Sequence, residues 1–295
     1  MFPSPDLIPE LTVSGSGKSD KGKKRKLNED RLAVRDDLHL YLVCDGAGGH
    51  NAGDVAAALA VRSITNYVGA TVRAAHERPE FDRFGIANGA RRLSAAVHKA
   101  NNDIIEISRT SHQHRGMGTT VVAVSFTPRS GLIHVAHVGD SRCYRMRAGH
   151  LELLTQDHSL LTDVVENRPD LDDTMLDKLP RNIITRALGV DPELRVSIRS
   201  FAVVEGDRYL LCSDGLYAPL SASSMACILR DVRDTALATQ QLIDEANAAG
   251  GPDNIAAVIV DCAVGPEVAL PSGFSAPPPM PAEQYEPDPE LLILG

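Results

Sequence analysis

The sequence has no apolar run of the roughly 18–20 residues that a membrane-spanning helix requires. Its first ten residues, Met1–Glu10, are interrupted by three prolines and lack the apolar core of a signal peptide. Neither a membrane span nor a secretion signal is therefore predicted. We expect a soluble, cytoplasmic protein.

The sequence contains few cysteines, and it has fewer basic than acidic residues. The five cysteines are odd in number and include no C-x-x-C pair. Most of them lie in apolar runs, which favours buried free thiols in a reducing compartment. Lys and Arg number 30 against 39 Asp and Glu, a net charge of −9. This balance argues against a protein built to coat nucleic acid.

What is present divides the 295 residues into three parts. Residues 1–10 form an irregular lead-in, residues 11–264 form the main domain, and residues 265–295 are acidic and proline-rich, which predicts a disordered tail. In the main domain strands flank grouped helices without β-α-β alternation, so the class is α+β. A polar, acidic stretch at about 159–183 is predicted to be a flap on this core.

Periodicity predicts individual elements within that domain. Apolar residues recur at 3.6-residue spacing over Ile86–Ser108, which indicates a long amphipathic helix. An alanine-rich helix is expected at Asp54–Val68 and a β-hairpin within Leu32–Cys44. Four strands between Thr119 and Leu154, joined by short turns, predict an antiparallel meander.

Four aspartates stand at the ends of strand-like apolar runs. Asp45, Asp140 and Asp214 each lie at the end of such a run, and Asp253 lies just before one. A carboxylate at the mouth of a buried strand is costly unless a cation compensates it. No matching set of Lys or Arg accompanies these four. Together they indicate a hard divalent cation bound by oxygen.

Two glycine-rich segments invite nucleotide-binding interpretations that fail on spacing. Ser14–Ser19 ends like a P-loop, but Thr12 stands where the first glycine belongs and no helical pattern follows. The loop after Asp45 has Asn51 where a dinucleotide turn has its third glycine. A metal loop explains this second segment better, since flexible glycines let a backbone carbonyl face an ion.

Six cations lie between Lys18 and Lys26. A lone run of this kind is usually a solvated loop or a nucleic-acid or targeting patch. Here it leads into Asn28-Glu29-Asp30, upstream of the aspartates, where it would attract anions and phosphate in particular. For the lysines both a solvated loop and an anion-binding arm remain open. For Arg25 we favour a functional role, because an arginine can bind phosphate bidentately.

Eight short motifs follow one another along the chain. They are Arg25-x-x-Asn28-Glu29-Asp30, Val43-Cys44-Asp45-Gly46-x-Gly48-Gly49-His50, Gly116-x-Gly118-Thr119-Thr120, Val138-Gly139-Asp140-Ser141-Arg142, Leu154-Thr155-x-Asp157-His158-Ser159, Ile184-Thr185-Arg186-Ala187-Leu188-Gly189, Cys212-Ser213-Asp214-Gly215-Leu216 and Asp253-Asn254-Ile255. This succession resembles the protein phosphatase 2C-type family of metal-dependent Ser/Thr phosphatases in its bacterial form. The resemblance covers about residues 11–262.

The resemblance implies a β-sandwich of two antiparallel sheets with helices on both outer faces. It further implies two Mn²⁺ or Mg²⁺ ions at one end of the sandwich. Carried over by position, Asp45 would bridge both metals and the Gly46 carbonyl would bind one of them. Asp214 and Asp253 would bind the other ion, and Asp140 would serve a third, weaker site.

Further roles follow from the same resemblance. Glu29 and Asp30 would hold metal-bound waters, and Arg25 would bind the phosphate. Some family members place a histidine two residues after the bridging aspartate as the leaving-group acid, whereas this chain has Ala47 there. The leaving-group acid therefore stays unassigned at this stage.

The implied activity is the hydrolysis of phosphoserine and phosphothreonine monoesters in proteins by a metal-activated water, without a covalent intermediate. Its partners would be phosphorylated proteins and a bacterial Ser/Thr kinase whose action it reverses, with the phosphatase itself a monomer. One alternative is a catalytically silent module that binds phosphoproteins, against which the complete ligand set argues. A metal hydrolase of small phosphate esters is the second alternative, and it stays open.

Overall fold

The structure is a computed structural model, and it describes residues 7–48, 52–75, 81–110, 112–168, 170–176, 178–180 and 183–269. The regular elements of this part of the chain are β1 (Leu7–Asp20), β2 (Arg31–Arg35), β3 (Leu40–Cys44), β4 (Gly46–Ala47), α1 (Ala52–Ala75), α2 (Asn88–Thr110), β5 (Gly118–Thr119), β6 (Val121–Thr127), β7 (Leu132–Val138), β8 (Arg142–Arg147), β9 (His150–Leu153), α3 (Leu160–Asn167), α4 (Asp173–Leu176), β10 (Ser197–Ala202), β11 (Arg208–Cys212), α5 (Asp214–Tyr217), α6 (Ala222–Asp231), α7 (Thr235–Ala248) and β12 (Ile255–Ala269), with short 3₁₀ turns at Asp36–Leu38 and His112–His114.

The strands build two five-stranded antiparallel sheets that pack face to face. One sheet has the order β1-β12-β11-β8-β9 and the other the order β10-β7-β6-β3-β2, while β4 and β5 form a separate small ribbon. Helices α1 and α2 cover the outer face of the second sheet, and α6 and α7 cover that of the first. The predicted α-β-β-α layering is confirmed.

Strand β3 is apolar at every position because both of its faces are covered. Leu40 and Leu42 contact the layer under α1 and α2, whereas Tyr41 and Val43 point into the layer between the sheets. A strand covered on both faces reads as a continuous apolar run. In the inter-sheet layer Phe126 makes edge contacts with Tyr41 and Tyr209 at ring-centroid distances of 5.9 and 5.6 Å.

The predicted helices and the β-hairpin are present with shifted ends. Helix α2 covers Asn88–Thr110, and α1 extends the alanine-rich segment to Ala52–Ala75. Strands β2 and β3 pair antiparallel around the 3₁₀ turn. Of the five cysteines, Cys44, Cys143, Cys212 and Cys262 are buried free thiols and Cys227 is exposed.

The predicted meander is wrong at its centre. Strands β6 and β7 pair within one sheet, and β8 and β9 pair within the other, so the chain crosses between sheets after Val138. Gly139 makes this crossing with φ = 101°, a conformation that disfavours a side chain. Sequence alternation marks strands, but it does not tell which sheet a strand joins.

The outer boundaries of the main domain are also wider than predicted. Strand β1 begins at Leu7 rather than after residue 10, and β12 continues to Ala269 rather than ending before residue 265. The two strands pair over this extra length, with Leu7 opposite Ala269 and a register shift between Pro9 and Leu11. Mutual backbone hydrogen bonding therefore outweighs the local proline signal. The remainder of the predicted tail, residues 270–295, lies outside the described residues.

One helix is long and apolar enough to satisfy the composition of a membrane span, contrary to the sequence prediction that no run of this kind exists. It is Ala52–Val72, within α1. Ala56, Ala60 and Ile64 on this helix are fully buried in the layer shared with α2 and the β3 sheet. The apolar character of α1 is thus accounted for by packing within the domain, since a core helix has the same composition.

Candidate metal centre

Strand ends and one loop bring five acidic side chains to the same end of the sandwich. Strands β3, β7 and β11 lead into Asp45, Asp140 and Asp214, and β12 begins two residues after Asp253. The pKa of the Asp45 carboxyl is raised well above its ordinary value, first by burial and then by Asp30, Asp214, Asp140 and Asp253. The structure therefore brings all four sequence-predicted aspartates, together with Asp30, within electrostatic reach of one another.

Backbone hydrogen bonds fix Asp45 at the end of β3. Its N–H donates to Thr120 Oγ1 at 3.1 Å. Its carbonyl accepts from the Thr120 N–H and from the Thr119 hydroxyl, each at 2.8 Å. The Asp45 carboxyl lies near those of Asp30 and Asp214, both of which raise its pKa. Without a cation, carboxyls this close must share protons.

Gly46 lies where no side chain fits. A Cβ at this position would stand 2.2 Å from the Gly53 carbonyl oxygen and 2.8 Å from that of Glu29. The start of α1 and the loop ending at Glu29 therefore pack directly against the backbone beside Asp45. This close approach places three segments, distant in sequence, around one carboxylate.

Asp30 is the most deeply buried acid of the group, at 1% exposure. The Ser213 hydroxyl donates to its Oδ2 at 2.7 Å, while its Oδ1 is buried with no partner among the described residues. Burial raises the pKa of Asp30 to about 7, the Ser213 hydrogen bond opposes that rise, and Asp214 and Asp253 add to it. Asp30 is thus an acid that a cation would readily ionise.

Arg25 lies at the rim of the group, half-exposed, and its Nη2 donates to Asp253 Oδ2 at 2.6 Å. This hydrogen bond is the main reason that the pKa of Arg25 is raised. The pKa of Asp214 is raised by burial and by Asp253. A single exposed arginine does not balance five clustered carboxyls.

Glu29 is held through its backbone rather than its side chain. The Glu29 N–H donates to Asn254 Oδ1 at 2.8 Å, and the Asn254 amide donates to the carbonyls of Lys21 and Leu27 at 2.9 and 2.7 Å. Glu29 Oε1 is buried with no partner among the described residues. Asn254 therefore ties the loop carrying Arg25 and Glu29 to the start of β12.

Asp140 lies at the crossing between the sheets. Its carbonyl accepts from the Tyr217 hydroxyl at 3.1 Å, and Arg142 stacks on the Tyr217 ring at 3.7 Å. Arg142 also makes a bidentate ion pair with Asp157, with its shortest contact at 2.7 Å. Burial first, and then Asp214 and Asp157, raise the pKa of the Asp140 carboxyl to about 6. The Asp140 carboxyl, like that of Asp45, is therefore harder to ionise than the carboxyl of an exposed aspartate.

The donor set fits a hard divalent cation. Three buried carboxylate oxygens, on Glu29, Asp30 and Asp214, have no partner among the described residues. Raised pKa values at Asp30, Asp45, Asp140 and Asp214 mean that these groups resist ionisation unless positive charge is supplied. In the described part of the chain no three His, Cys, Asp or Glu side chains already enclose one ion position. A divalent cation bound among these oxygens would supply that positive charge.

The histidines near the centre are structural in the described part of the chain. His158 Nδ1 accepts the Gly139 N–H at 3.1 Å, and its Nε2 lies 2.8 Å from the Ser197 hydroxyl. Its pKa is lowered to about 3, mainly by burial. His158 is therefore not a leaving-group acid. Ala47 is exposed at the rim, and His50 lies outside the described residues.

Sequence reasoning gave no role to Ser213, Asn254 or Tyr217, although the first two stand inside the motifs it singled out. Their hydrogen-bond partners lie 183, 225 and 77 residues away in sequence, at Asp30, Glu29 and Asp140. No local signal shows such a pairing. For Ser213 and Asn254 the available clue was their position directly beside predicted ligands, and Tyr217 had none.

Comparison with known proteins connects this site to one family. The family model described as Protein phosphatase 2C matches residues 19–248. The serine/threonine phosphatase stp of Listeria monocytogenes is 32% identical over 247 residues, covering 83% of this chain and 94% of the relative. The serine/threonine protein phosphatase PstP of Mycobacterium tuberculosis is 33% identical over 253 residues, covering 85% of this chain but 45% of that longer protein.

Solved structures show the same relationship. The catalytic domain of PstP in complex with two manganese ions superimposes with a TM-score of 0.71 at 30% identity, covering 86% of this chain and 99% of that one. PppA of Pseudomonas aeruginosa, described as a regulatory component of T6SS, superimposes with a TM-score of 0.68 at 29% identity, covering 86% and 100%.

Proposed function

Because this chain belongs to the protein phosphatase 2C family, we propose that its carboxylate end is the active centre of a metal-dependent protein serine/threonine phosphatase. The observation that carries the proposal is the convergence of Asp30, Asp140, Asp214 and Asp253 on Asp45. A buried cluster of this charge needs divalent cations, and the manganese-bound relative has the same fold.

The roles of the individual ligands follow from the resemblance to that family. Asp45 would serve both Mn²⁺ or Mg²⁺ ions, the Gly46 carbonyl would bind one of them, and Asp214 and Asp253 would bind the other. Asp140 would serve a third site at the sheet crossing. When bound, such ions neutralise phosphoryl oxygens and acidify the attacking water.

The rest of the chemistry falls to the chain itself. Arg25 is half-exposed beside Asp253, so its guanidinium can leave that carboxylate to bind two phosphate oxygens. Asp30, held by Ser213, and Glu29, held by Asn254, would orient the water molecules of the centre through their unpaired oxygens. The buried thiols of Cys44 and Cys212 have raised pKa values, so neither supplies a thiolate nucleophile.

The substrates we propose are phosphoserine and phosphothreonine in proteins, as the names of the relatives state for those enzymes. A bacterial Ser/Thr kinase would supply these substrates, since phosphoproteins require a kinase. A monomer in the cytoplasm is the simplest setting, in keeping with four buried reduced thiols.

The test is hydrolysis of a phosphothreonine peptide and of p-nitrophenyl phosphate, each with Mn²⁺ and with chelator. We expect Mn²⁺-dependent turnover of both, and a loss of at least about 100-fold in Asp45→Asn, because a ligand should cost no less than a ligand-orienting partner. Calorimetric titration with Mn²⁺ should show fewer bound ions in Asp45→Asn. Asp231→Asn, an exposed aspartate paired with Arg230, is the matched control and should change neither result.

Each alternative has its own outcome. Peptide binding without any Mn²⁺-dependent turnover would establish a silent phosphoprotein-binding module. Turnover of the small ester alone would establish a hydrolase of small phosphate esters. Undiminished activity in Asp45→Asn would contradict the site assignment itself.

A further inference from the structure

The loop between β1 and β2 has more positive charge than the proposed chemistry uses. We call residues Lys21–Lys26 the basic loop. Its lysines are Lys21, Lys23, Lys24 and Lys26. All four are exposed, and none forms an ion pair with a residue that the structure describes. Only Arg25, which binds Asp253, has an assigned role.

The basic loop is held in place beside the metal centre. The N–H groups of Lys23 and Lys24 donate to the Gly251 carbonyl at 2.9 and 3.2 Å. Gly22, with φ = 74°, turns the chain where a Cβ would stand 2.1 Å from the Asp253 carbonyl oxygen. The Asn254 amide binds backbone carbonyls at the start and just beyond the end of the loop. The lysines therefore project from a backbone fixed against the segment that carries Asp253.

Two simpler roles do not account for these lysines. Lys18, the neighbouring cation on β1, donates to Gln240, so it belongs to the packing of β1 on α7. The lysines of the basic loop have no such contact. They also form no ion pair with the described acids of the metal centre, whereas Arg25 pairs with Asp253.

We propose that the basic loop is a specificity surface, selecting phosphoprotein segments that contain a second anionic group two to four residues from the phosphate being hydrolysed. The spacing follows from chain geometry. Lys23 and Lys21 are two and four residues from Arg25, at most about 8 and 15 Å along the chain. A peptide with its phosphate on Arg25 and rising about 3.3 Å per residue covers this range within two to four residues.

This inference rests on the proposed phosphatase function and adds its substrate class. The second anionic group can be an Asp or Glu carboxylate or another phosphate, because a lysine ammonium binds either as a point charge. An exposed ion pair changes affinity by up to roughly fivefold and weakens with salt. The surface would therefore act through KM and would fade at high ionic strength.

The test compares three phosphothreonine peptides of equal length. Their residues at two and four positions from the phosphothreonine are glutamine, glutamate or phosphoserine. We expect wild-type kcat/KM to be roughly tenfold higher for the two anionic peptides than for the neutral one at low salt, with the difference in KM. The separate glutamate and phosphoserine arms show which source of charge is preferred.

The variant changes all four lysines of the basic loop to glutamine and retains Arg25. It should lose the preference for anionic peptides, with an unchanged kcat and unchanged Mn²⁺-dependent turnover of p-nitrophenyl phosphate. The control removes the same charge elsewhere, at four exposed arginines, Arg109, Arg129, Arg195 and Arg233, each changed to glutamine. It should keep the preference.

Retention of the preference in the lysine variant, or its absence in the wild type, would overturn the proposal. So would loss of the preference in the arginine control, because net charge alone would then explain it. Salt-dependent binding of a single-stranded oligonucleotide through the loop, without peptide preference, would assign the loop to nucleic acid instead. If the wild type shows no Mn²⁺-dependent turnover of either the phosphothreonine peptides or p-nitrophenyl phosphate, the phosphatase function itself fails, which is a distinguishable result.

Discussion

Asn254 holds the loop of the proposed active centre in position through hydrogen bonds to its backbone, and we assign it no role in catalysis itself. Its amide accepts one hydrogen bond and donates two, all to backbone groups of the segment from Lys21 to Glu29. The residue is 6% exposed, so water cannot replace these bonds. The position of Arg25 and Glu29 relative to Asp253 therefore depends on this one amide.

We predict that Asn254→Ala destabilises the protein by about 2–4 kcal/mol, because three part-buried backbone groups lose their partner at once. It should also weaken Mn²⁺ binding by about 10–100-fold, since Glu29 loses its orientation. Urea unfolding and calorimetric titration measure the two effects. Asn167→Ala, which removes an exposed amide bonded only to Asp163 within α3, is the control.

A matching loss of stability in Asn167→Ala would contradict this explanation. So would an Asn254→Ala protein that binds Mn²⁺ with unchanged affinity, because the amide would then be irrelevant to the geometry of the loop.

At the residue scale, the sequence predicted the carboxylate residues of the site. It did not predict the uncharged hydroxyl and amide side chains that hold them in position. Asp45, Asp140, Asp214 and Asp253 could be found because each interrupts an apolar run. Ser213 has no such signal, and its partner Asp30 lies 183 residues away. Tertiary structure alone determines which hydroxyl or amide reaches a given carboxylate.

The short strand β4 requires a glycine at position 46, because another backbone segment packs directly against it. Gly46 pairs with Thr119 in the β4–β5 ribbon while the backbone of Gly53 presses against it. The ribbon directs the chain from the Asp45 carboxylate towards α1. Glycine is necessary at position 46 because the backbone of Gly53 lies too close for a side chain, and not because of a positive φ.

We predict that Gly46→Ala costs about 2–4 kcal/mol of stability and abolishes Mn²⁺-dependent turnover. The added methyl group would lie 2.2 Å from a carbonyl oxygen that belongs to backbone and cannot move alone. Gly69→Ala within α1 is the control, since its nearest neighbour would be 3.6 Å away. That substitution should be neutral or stabilise the protein by up to about 1 kcal/mol. Thermal unfolding measures both, and equal effects of the two would refute the steric account.

Helices and strands could be predicted where apolar residues recur at a regular spacing. The prediction failed where the position of a strand depends on which other strand it pairs with. Helix α2 could be predicted within two residues, because its apolar spacing is regular over six turns. The distribution of β7 and β8 between two sheets could not, since the sequence of a strand does not show which strand it pairs with. The extension of β1 to Leu7 was missed for the same reason, because its support comes from β12, at the other end of the chain.

At the scale of the whole molecule, five acidic side chains lie together at one end of the sandwich. A net charge of −9 describes the sequence, but the buried carboxyls make the local field stronger than that number suggests. The basic loop stands at the rim of this acidic centre. Bound cations and the lysines would together make the rim attractive to phosphate while the protein as a whole remains acidic.

This concentration of acids makes stability depend on pH and metal together. In chelator, the pKa values of Asp30 and Asp140, about 7 and about 6, lie above the ordinary value of 3.8. Between pH 4 and 7 the folded state therefore keeps protons that the unfolded chain has lost, so these groups lower stability as pH rises. His134 and His158, with pKa values lowered to about 4 and 3, act in the opposite sense up to pH 6.5.

The difference between unfolding curves in Mn²⁺ and in chelator separates these contributions, because the histidines act equally in both. Mn²⁺ binds ionised carboxylates, so its stabilisation should be small near pH 5 and grow through pH 7 to about 5 °C or more in Tm at saturating metal. Asp30→Asn supplies the complementary measurement. An amide cannot ionise, so in chelator at pH 8 this variant should be more stable than the wild type. A constant Mn²⁺ effect from pH 5 to 8, or an Asp30→Asn variant that is less stable than the wild type at pH 8, would show that the cluster does not exchange protons for metal.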